Sequence, residues 1–445
     1  MSPADTAASA RILREVADRQ LALSDLERLT DDIGPRLTGS ARLVLAHAWA
    51  ESTFVARGFT NVHREHYDFG PSWTRGVASA RLLTQNRATL SLAGLAWGPS
   101  TAGPVRGEVM RLAGTTPAEL EGLIGHFKDR IVIIGNMPAP DADTAGYRRL
   151  HERLARAIRD EGALAFILPA GKAEGLNAGG GPVWRLGPFL PQVPFAFMAD
   201  KDFGLLARSV IRGERVRMEL DIGGVRSAAS VQAYNSVAEL RGSDRADEVV
   251  LIGAHLDSWD LGTGATDNGT GVVAAMEALR AIRAIGIAPR RTIRVVLFSG
   301  EEQGHFGSKA YVQAHRGELA NIQAVLVNDL GTGRTRGFAL QGLEASRPYM
   351  ARAIAPLNEI GVNELPLERG EDSDHWSFVE AGVPGFFAVQ DVGDYFSVTH
   401  HSQFDTFDRV KPADLIQSAQ ALAVTAWELA NMAERLPHPV PVVLR

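Results

Sequence analysis

Apolar and polar residues follow two different periods in the first part of the chain. Apolar residues recur every three or four positions in 7–30 and in 41–57, which predicts two amphipathic helices. The turn-rich segment GPRLTGS at 34–40 separates them. Residues 58–97 alternate between apolar and polar side chains, as strands with one buried face do. This part of the chain therefore predicts helices followed by β-structure.

A change of character near residue 98 marks a separate middle segment. It contains a helix-like stretch at 147–163, a Gly/Pro-rich loop at 175–188 and several short strand-like runs: GEVMRLA, RIVIIGN, ALAFILP and VPFAFMA. Alternation resumes near residue 226. We interpret 98–225 as a small, β-rich inserted domain, which divides a larger domain into residues 1–97 and 226–445.

The second half repeats one order of elements, in which an apolar strand is followed by a polar loop and then a helix. Four runs fit such strands: VVLIGAH at 249–255, TIRVVLFSGEE at 292–302, AVLVNDLG at 324–331 and VPGFFAVQ at 383–390. Strands that alternate with helices form a mostly parallel sheet with helices on both faces. The predicted class is therefore α/β, with a mostly parallel central sheet flanked by helices.

Histidines and carboxylates follow the predicted strands at the point where each strand ends. These residues are His255, Asp257, Asp267, Glu301, Glu302, Asp329 and the segment THHSQFDT at 399–406. The carboxyl ends of parallel strands meet at one edge of a sheet, where α/β proteins bind ligands. Adjacent carboxylates at the end of a buried strand are costly unless a cation compensates their charge. Nitrogen and oxygen ligands without sulfur predict zinc, with manganese or cobalt as alternatives, and their number suggests two ions.

Each of these residues also has an ordinary structural interpretation. A single histidine at a strand end is usually a hydrogen-bonded structural residue, and paired glutamates usually lie in a solvated loop. Asp267 in DNG is typical of a turn, and Asp329 could cap a helix. The coincidence of ligand types at four successive strand ends favours the metal site over four independent structural roles.

Composition narrows the classes of function. The 445 residues are 45% hydrophobic and 22% charged, as in ordinary globular proteins. The formal net charge of -6 argues against nucleic acid or an anionic membrane as partner. The chain contains no cysteine, which excludes disulfides, thiolate metal sites and a cysteine nucleophile. It also has no G-x-S-x-G motif, and Asp267 takes the place of the third glycine of a dinucleotide-binding loop.

Location is not decided by the sequence. No apolar run approaches the roughly 20 residues of a membrane helix, and no leader peptide is visible. We expect a secreted or periplasmic protein if a leader was removed, and a cytoplasmic one otherwise.

Four motifs, in this order, resemble the co-catalytic zinc aminopeptidase and carboxypeptidase family: GAHLDSWDLGTGATDNGTG, SGEEQGHFGS, VNDLGTG and HHSQFDT. The resemblance extends from about residue 20 to about residue 430. The middle segment resembles the protease-associated domain that these enzymes carry. The resemblance implies an α/β zinc exopeptidase, a protease-associated insertion, a short peptide as substrate and a possible homodimer.

The resemblance implies five metal ligands in this chain: His255, Asp267, Glu302, Asp329 and His401. Asp267 would bridge two zinc ions. His255 and Asp329 would complete the site of one ion, and Glu302 and His401 that of the other. His401 is preferred to His400 because the ligand histidine of the family lies four residues before an aspartate, here Asp405.

Other roles follow from the same resemblance. Glu301 would be the general base, and Asp257 would hold the ring of His255. The peptide bond after Asp267 is expected to be cis. The remaining candidates would lie around the metals or on the substrate side: His400, Asp405, Asp374 and His375. Their segment EDSDHWSF, at 371–378, resembles the aminopeptidase branch of the family.

The sequence thus predicts a di-zinc metallo-exopeptidase that hydrolyses dipeptides or terminal residues of short peptides. One alternative is an amidase or N-acyl amino acid hydrolase with the same two metals. A second is a glutaminyl-cyclase-like acyl transferase with one zinc ion. A third is a non-catalytic, receptor-like relative, which the complete ligand set and Glu301 argue against.

Overall fold

The computed structural model describes residues 3–84, 88–136, 144–173, 175–177, 179 and 192–441. The chain forms two compact units. The first comprises residues 1–70, 230–400 and 405–445, and the second comprises residues 71–229 and 401–404.

The described α-helices are α1 (Pro3–Arg19), α2 (Leu21–Glu27), α3 (Ala41–Ala56), α4 (Pro117–Glu121), α5 (Thr144–Asp160), α6 (Asp200–Ile211), α7 (Thr270–Ala284), α8 (Phe306–Ala314), α9 (Arg347–Ile354), α10 (His375–Glu380) and α11 (Pro412–Asn431). The described strands are β1 (Thr60–Leu82), β2 (Thr89–Leu90), β3 (Leu92–Gly94), β4 (Val105–Leu112), β5 (Arg130–Ile134), β6 (Ala165–Pro169), β7 (Phe195–Met198), β8 (Arg217–Leu240), β9 (Arg245–His255), β10 (Arg291–Phe298), β11 (Ile322–Val327), β12 (Thr335–Ala339) and β13 (Gly385–Gln390). Short 3₁₀ or π-helical segments occur at Arg28–Ile33, Ala265–Gly269, Leu319–Asn321, Glu344–Ser346, Ala355–Ile360, Tyr395–Thr399 and Phe407–Arg409.

The sheet of the first unit has the strand order β12-β13-β11-β9-β10-β8. Its four inner strands are parallel to one another. The two edge strands, β12 and β8, run antiparallel to their neighbours. The predicted α/β class with a mostly parallel central sheet is therefore confirmed, and the four predicted strands are its inner strands.

Both faces of β9 are buried because helices cover the sheet on each side. Val250 and Ile252 belong to a hydrophobic core that includes residues of α7 and α11. Val249 and Leu251 point into a second core, which contains Tyr311 of α8 and residues of α10. This burial on two faces explains why the strand reads as a continuous apolar run.

The predicted helix at 7–30 is divided in the structure. Gln20 adopts a left-handed backbone conformation, with φ of 49°, between α1 and α2. A short π-helical segment then continues to Ile33. The helix predicted at 41–57 corresponds to α3, where the Ser40 hydroxyl accepts a hydrogen bond from the Leu43 N–H as an N-cap.

Arg291 is a buried guanidinium that anchors the end of α11. Its Nε lies 2.6 Å from Glu248 Oε2, and its Nη1 donates to the carbonyl oxygens of Leu429, Ala430 and Met432. A cation at a helix C-terminus satisfies carbonyl groups that have no partner within the helix and interacts favourably with the helix dipole.

In the second unit the strand order is β8-β4-β5-β6-β7-β3. The strands from β4 to β7 are parallel, and hydrophobic clusters lie on both faces of this sheet. Residues 98–225 lie inside this unit. The unit starts earlier because the alternating segment 58–97 includes the second part of β1 together with β2 and β3. Much of the predicted loop at 175–188 lies outside the described residues.

Within the described part of the chain, no helix combines the length and the apolar character that crossing a bilayer requires.

His47 of α3 is a buried neutral histidine. Its Nδ1 lies 2.8 Å from Ser236 Oγ on β8. Burial, together with a smaller contribution from the charge of Arg64, lowers the pKa of His47 to about 3. The folded protein therefore does not protonate this ring in mildly acidic solution, whereas the unfolded chain does.

We expect His47 to make the protein sensitive to acid. Its contribution to stability is complete above the ordinary histidine pKa of 6.5 and falls as the pH decreases. Lowering the pH from 7.5 to 5.0 should cost about 2 kcal/mol of unfolding free energy through this residue alone. Urea unfolding at both pH values should show a smaller pH effect in His47→Gln than in the wild type. His126→Gln, at an exposed position, should retain the wild-type effect. Equal pH effects in wild type and His47→Gln would contradict the expectation.

Candidate metal centre

The candidate site lies at the carboxyl end of β9, where the strand order reverses. The chain passes from β9 to β10 on one side and returns to β11 on the other side. Such a switch point opens a crevice at the sheet edge, because the loops leave in opposite directions. The loops after β9, β10 and β11 carry the predicted histidine and carboxylates to this crevice.

His255 is the last residue of β9, and its buried ring lies among carboxylates. Its Nε2 is 3.1 Å from Asp329 Oδ1 and 3.3 Å from Asp267 Oδ1. The same nitrogen is 3.9 Å from Glu301 Oε2. One donor atom each from His255, Asp267 and Asp329 lies within 4.8 Å of the other two. Three converging protein ligands are the number that a catalytic zinc site uses.

Asp257 contacts residues at the carboxyl ends of both β9 and β10. The Nδ1 of His255 lies 3.0 Å from the carbonyl oxygen of Asp257 and 3.6 Å from its Oδ1. The backbone N–H groups of Glu301 and Glu302 donate to its two carboxylate oxygens over 3.4 Å each. The hydroxyl of Thr38 also donates to Oδ2, at 2.9 Å. Asp257 thus fixes both the histidine and the paired glutamates.

The surroundings of Glu301 and Glu302 disfavour the charged forms of both carboxyl groups. Burial raises the pKa of Glu301 well above its ordinary value, and Asp329 and Asp374 add to the rise. Burial also raises the pKa of Glu302, with a further contribution from Asp267. A bound cation would offset this desolvation and repulsion.

The pKa of His255 depends on its burial and on the neighbouring carboxylates. Burial alone would lower its pKa, but Asp329, Asp257 and Asp267 outweigh that effect and raise the pKa well above the ordinary value.

Asp405 holds the turn that carries Asp267. Its Oδ1 accepts hydrogen bonds from the backbone N–H of Thr266 at 2.5 Å and from the Thr266 hydroxyl at 2.8 Å. Its Oδ2 accepts from the Asp267 N–H at 3.2 Å. Burial raises the pKa of Asp405 to about 7, and Asp267 contributes. The peptide bond between Asp267 and Asn268 is cis, as the resemblance implies.

The segment around α10 contributes to the surroundings of the cluster. The Ser373 hydroxyl donates to Asp329 Oδ2 at 2.6 Å. Asp374 is fully buried, and burial raises its pKa to about 7, with Asp257 and Asp329 among the charges that act on it. His375 packs against Phe387 with ring centroids 5.1 Å apart, and burial lowers its pKa to about 3. His375 is therefore a neutral packing residue in this structure.

The two predicted histidines of the last loop have different positions in the fold. His400 belongs to the first unit, where its Nε2 lies 4.0 Å from Asp267 Oδ2 and its ring contacts Tyr395 and Phe396. His401 adopts a positive φ of 56° and lies in the segment 401–404, which clusters with the second unit. The role of His401 as a ligand therefore stays a prediction.

Comparison with known proteins gives the family. The family described as Peptidase family M28 matches residues 235–426. Carboxypeptidase Q from Bos taurus is 31% identical over 413 residues, which cover 93% of this chain and 86% of that protein. Carboxypeptidase Q from Homo sapiens is 31% identical over 414 residues, with the same coverage of 93% and 86%. The chain belongs to peptidase family M28. The resemblance found in the sequence is confirmed, and the protein is a peptidase.

Solved structures agree with this assignment. A peptidase M28 precursor from Shewanella amazonensis SB2B has a TM-score of 0.83 and 30% identity, over 98% of this chain and 99% of that chain. BSAP, a zinc aminopeptidase from Bacillus subtilis, has a TM-score of 0.68 and 18% identity, over 95% of this chain and 98% of that chain. The second likeness concerns the fold alone.

The donor set of this M28 peptidase fits zinc. An imidazole nitrogen and carboxylate oxygens converge without sulfur, and they are buried enough that their charges need compensation. The crowding of carboxylates that raises the pKa of both glutamates is the condition that a divalent cation relieves.

Several residues of the centre were missed by the sequence analysis. Arg36 and Thr38 lie in GPRLTGS, a segment whose composition predicts only a turn. Tyr67 donates from its hydroxyl to the Ser299 carbonyl oxygen at 2.7 Å and so holds the loop that leads to Glu301. No local pattern in β1 distinguishes Tyr67 from other strand residues.

We expect Asp257→Asn to weaken zinc binding by this M28 peptidase about 10- to 100-fold. An amide would place a donor against one of the N–H or hydroxyl groups that now donate to Asp257. Competition with a zinc-binding dye measures the change. Thr38→Val, which removes one of these contacts, is the matched control and should have a smaller effect. Wild-type affinity in Asp257→Asn would show that this carboxylate does not position the ligands.

Proposed function

We propose that this protein is a zinc-dependent exopeptidase with two metal ions, which hydrolyses dipeptides or terminal residues of short peptides. The observation that carries the proposal is the convergence of His255, Asp267 and Asp329 beside the paired Glu301 and Glu302. Membership of the M28 family supports a peptide as substrate. The names of the relatives, carboxypeptidase Q and zinc aminopeptidase, support terminal cleavage and zinc.

In this proposal Asp267, His255 and Asp329 would hold one ion, and Asp267, Glu302 and His401 would hold the other. The first set is supported by the distances of 3.1 and 3.3 Å from the His255 ring. The second set is supported by the family motifs EEQG and HHSQFDT. Manganese or cobalt could replace zinc with the same ligand types.

Bound zinc would supply a Lewis acid that polarises the scissile carbonyl and lowers the pKa of water. Glu301 takes the proton from the attacking water and returns it to the leaving amine. Its carboxylate suits this role because it lies beside the ligand set, 3.9 Å from His255 Nε2 and 3.2 Å from His305 Nε2. Burial, which favours the protonated form, counteracts the effect of a nearby cation, so the carboxylate can both accept and release a proton.

Asp257 and Asp405 orient the reacting groups. Asp257 holds the backbone of Glu301 and the ring of His255, and Asp405 holds the turn of Asp267. The Ser373 hydroxyl orients Asp329. His400, Asp374 and His375 stay assigned to the surroundings of the metals or the substrate side.

The direct test is metal content together with hydrolysis of a dipeptide panel. We expect two zinc ions per chain, loss of cleavage on chelation and its return when zinc is added. Two ions without cleavage of any dipeptide would favour the alternative of an amidase or N-acyl amino acid hydrolase. A wild-type protein that binds no zinc would contradict the proposed function and favour a non-catalytic relative.

Glu301→Gln separates the base from the ligands. We expect this variant to keep its zinc and to lose about 10²- to 10⁴-fold in kcat, because the amide cannot accept the proton. Glu302→Gln should instead lose one ion. Metal analysis and steady-state kinetics of both variants measure the difference. Loss of zinc in Glu301→Gln, with retention in Glu302→Gln, would reverse the two assignments.

Compartment and assembly stay predictions. The homodimer implied by the relatives is favoured by α3, whose outer side exposes Val44, Leu45 and Val55 at 40%, 60% and 63%. Measurement of the mass in solution tests the dimer. A secreted or periplasmic location depends on whether a leader precedes the chain in the cell.

A further inference from the structure

Arg36 is a fully buried arginine whose side chain donates hydrogen bonds to main-chain carbonyl oxygens of the described residues. Its Nε donates to Leu256 O at 2.7 Å, and its Nη2 donates to Gly264 O at 2.8 Å. Its Nη1 donates to Thr263 O at 2.7 Å and to Gly34 O at 3.2 Å. One planar guanidinium thus connects four carbonyl groups.

Three of these four carbonyls lie at the two ends of one loop, and the fourth belongs to Gly34. Residues 256–264 leave β9 directly after His255 and reach the turn that carries Asp267. Leu256 O is at the start of the loop, and Thr263 O and Gly264 O are at its end. Arg36 therefore fixes the distance between the two ends of the loop that separates His255 from Asp267.

Two further contacts join Arg36 to the same loop. Its backbone N–H donates to Ser258 Oγ at 3.0 Å, and the Ser258 N–H donates to the Arg36 carbonyl oxygen at 3.2 Å. Gly264 has φ of 66°, and a Cβ there would lie 2.7 Å from Arg36 Nη2. Glycine at this position is therefore what allows the guanidinium to approach the loop so closely.

The charge of Arg36 also acts on the metal centre. The carboxylates that interact with it are Asp405, Asp257, Asp267 and Glu302. Burial lowers the pKa of Arg36 to about 10, while these carboxylates oppose the shift, so the group remains a cation at neutral pH. Arg36 thus compensates part of the negative charge around the ligands.

We propose that Arg36 is a positioning residue that sets the spacing of His255 and Asp267 for metal binding. The proposal rests on the proposed function, because it assigns both residues as zinc ligands. Arg36 acts through the loop 256–264 and not by contact with substrate. A lysine ammonium would not be sufficient to hold the loop, because the planar guanidinium donates hydrogen bonds to the carbonyl groups in several directions at once.

The protein contains a matched control in Arg291. This arginine is also fully buried and also donates to several main-chain carbonyls, but these lie at the C-terminus of α11. Arg291 begins β10, whereas the paired glutamates follow the opposite end of that strand. Replacement of Arg291 therefore reproduces the loss of a buried guanidinium without altering the loop 256–264.

The experiment compares Arg36→Lys with Arg291→Lys. Both variants keep a positive charge and lose the planar fork, and both should lower the melting temperature of the metal-free protein. We expect the zinc dissociation constant to rise at least about tenfold in Arg36→Lys, as when a residue that orients a metal ligand is replaced. Arg291→Lys should retain wild-type zinc affinity. Competition with a zinc-binding dye measures the affinity, and kcat at saturating zinc is measured in parallel.

Gly264→Ala provides a second variant that leaves Arg36 in place. Its methyl group would lie 2.3 Å from Ser258 Cβ and 2.7 Å from Arg36 Nη2, so it would disturb the contacts of both residues with the loop, and zinc affinity should fall in the same direction. Equal zinc affinity in Arg36→Lys and wild type, or equal losses in Arg36→Lys and Arg291→Lys, would overturn the inference. Failure of the wild-type protein to bind zinc would instead contradict the proposed function, so the two failures are distinguishable.

Discussion

A concentration of buried negative charge at the carboxyl end of β9 is the constraint on which the rest of the site depends. Asp267, Glu301 and Asp329 lie within 3.9 Å of the His255 ring, and burial of Glu301 disfavours its charged form. Hydrogen-bond donors and one cation compensate this negative charge. They are the backbone N–H groups after β10, the hydroxyls of Thr38 and Ser373 and the guanidinium of Arg36. A site built in this way is close to its binding geometry before any cation arrives, which reduces the cost of ordering the ligands on binding.

The sheet supplies the rigidity that such a site needs. β9 lies between two parallel neighbours, and its side chains pack into one core with α7 and α11 and into another with α8 and α10. His255 is the last residue of this strand, and it pairs with Phe298 of β10 in the parallel ladder. The loops differ from the strand, because they depend on single side chains such as Asp257 and Asp405 to hold their shape.

The inner strands and the ligands that follow them could be predicted because both signals are local. The runs ending at His255 and at Glu301 are apolar on both faces, and the polar residues come directly after them. Arg36 could not be assigned in this way, since its partners lie more than 200 residues further along the chain. The division of the predicted helix at Gln20 and the extent of β1 were also missed, because backbone conformation and strand length depend on tertiary packing. The second compact unit begins at residue 71 and not at residue 98, because the extent of β1 also depends on tertiary packing. The assignment of His401 as a ligand rests on the motif HHSQFDT alone.

The sequence separation of these contacts has a consequence for synthesis of the protein. Arg36 emerges from the ribosome long before Leu256 and Gly264, and the turn of Asp267 obtains its acceptor only when Asp405 has been made. The N-terminal segment therefore cannot adopt its final hydrogen bonding while the chain is short. A nascent chain that has passed β13 but not yet reached residue 405 has the strands of the sheet and an incomplete cradle for the ligand turn. Hydrolytic competence consequently follows completion of almost the whole polypeptide, and a truncated product would carry the strands of a peptidase without its organised centre.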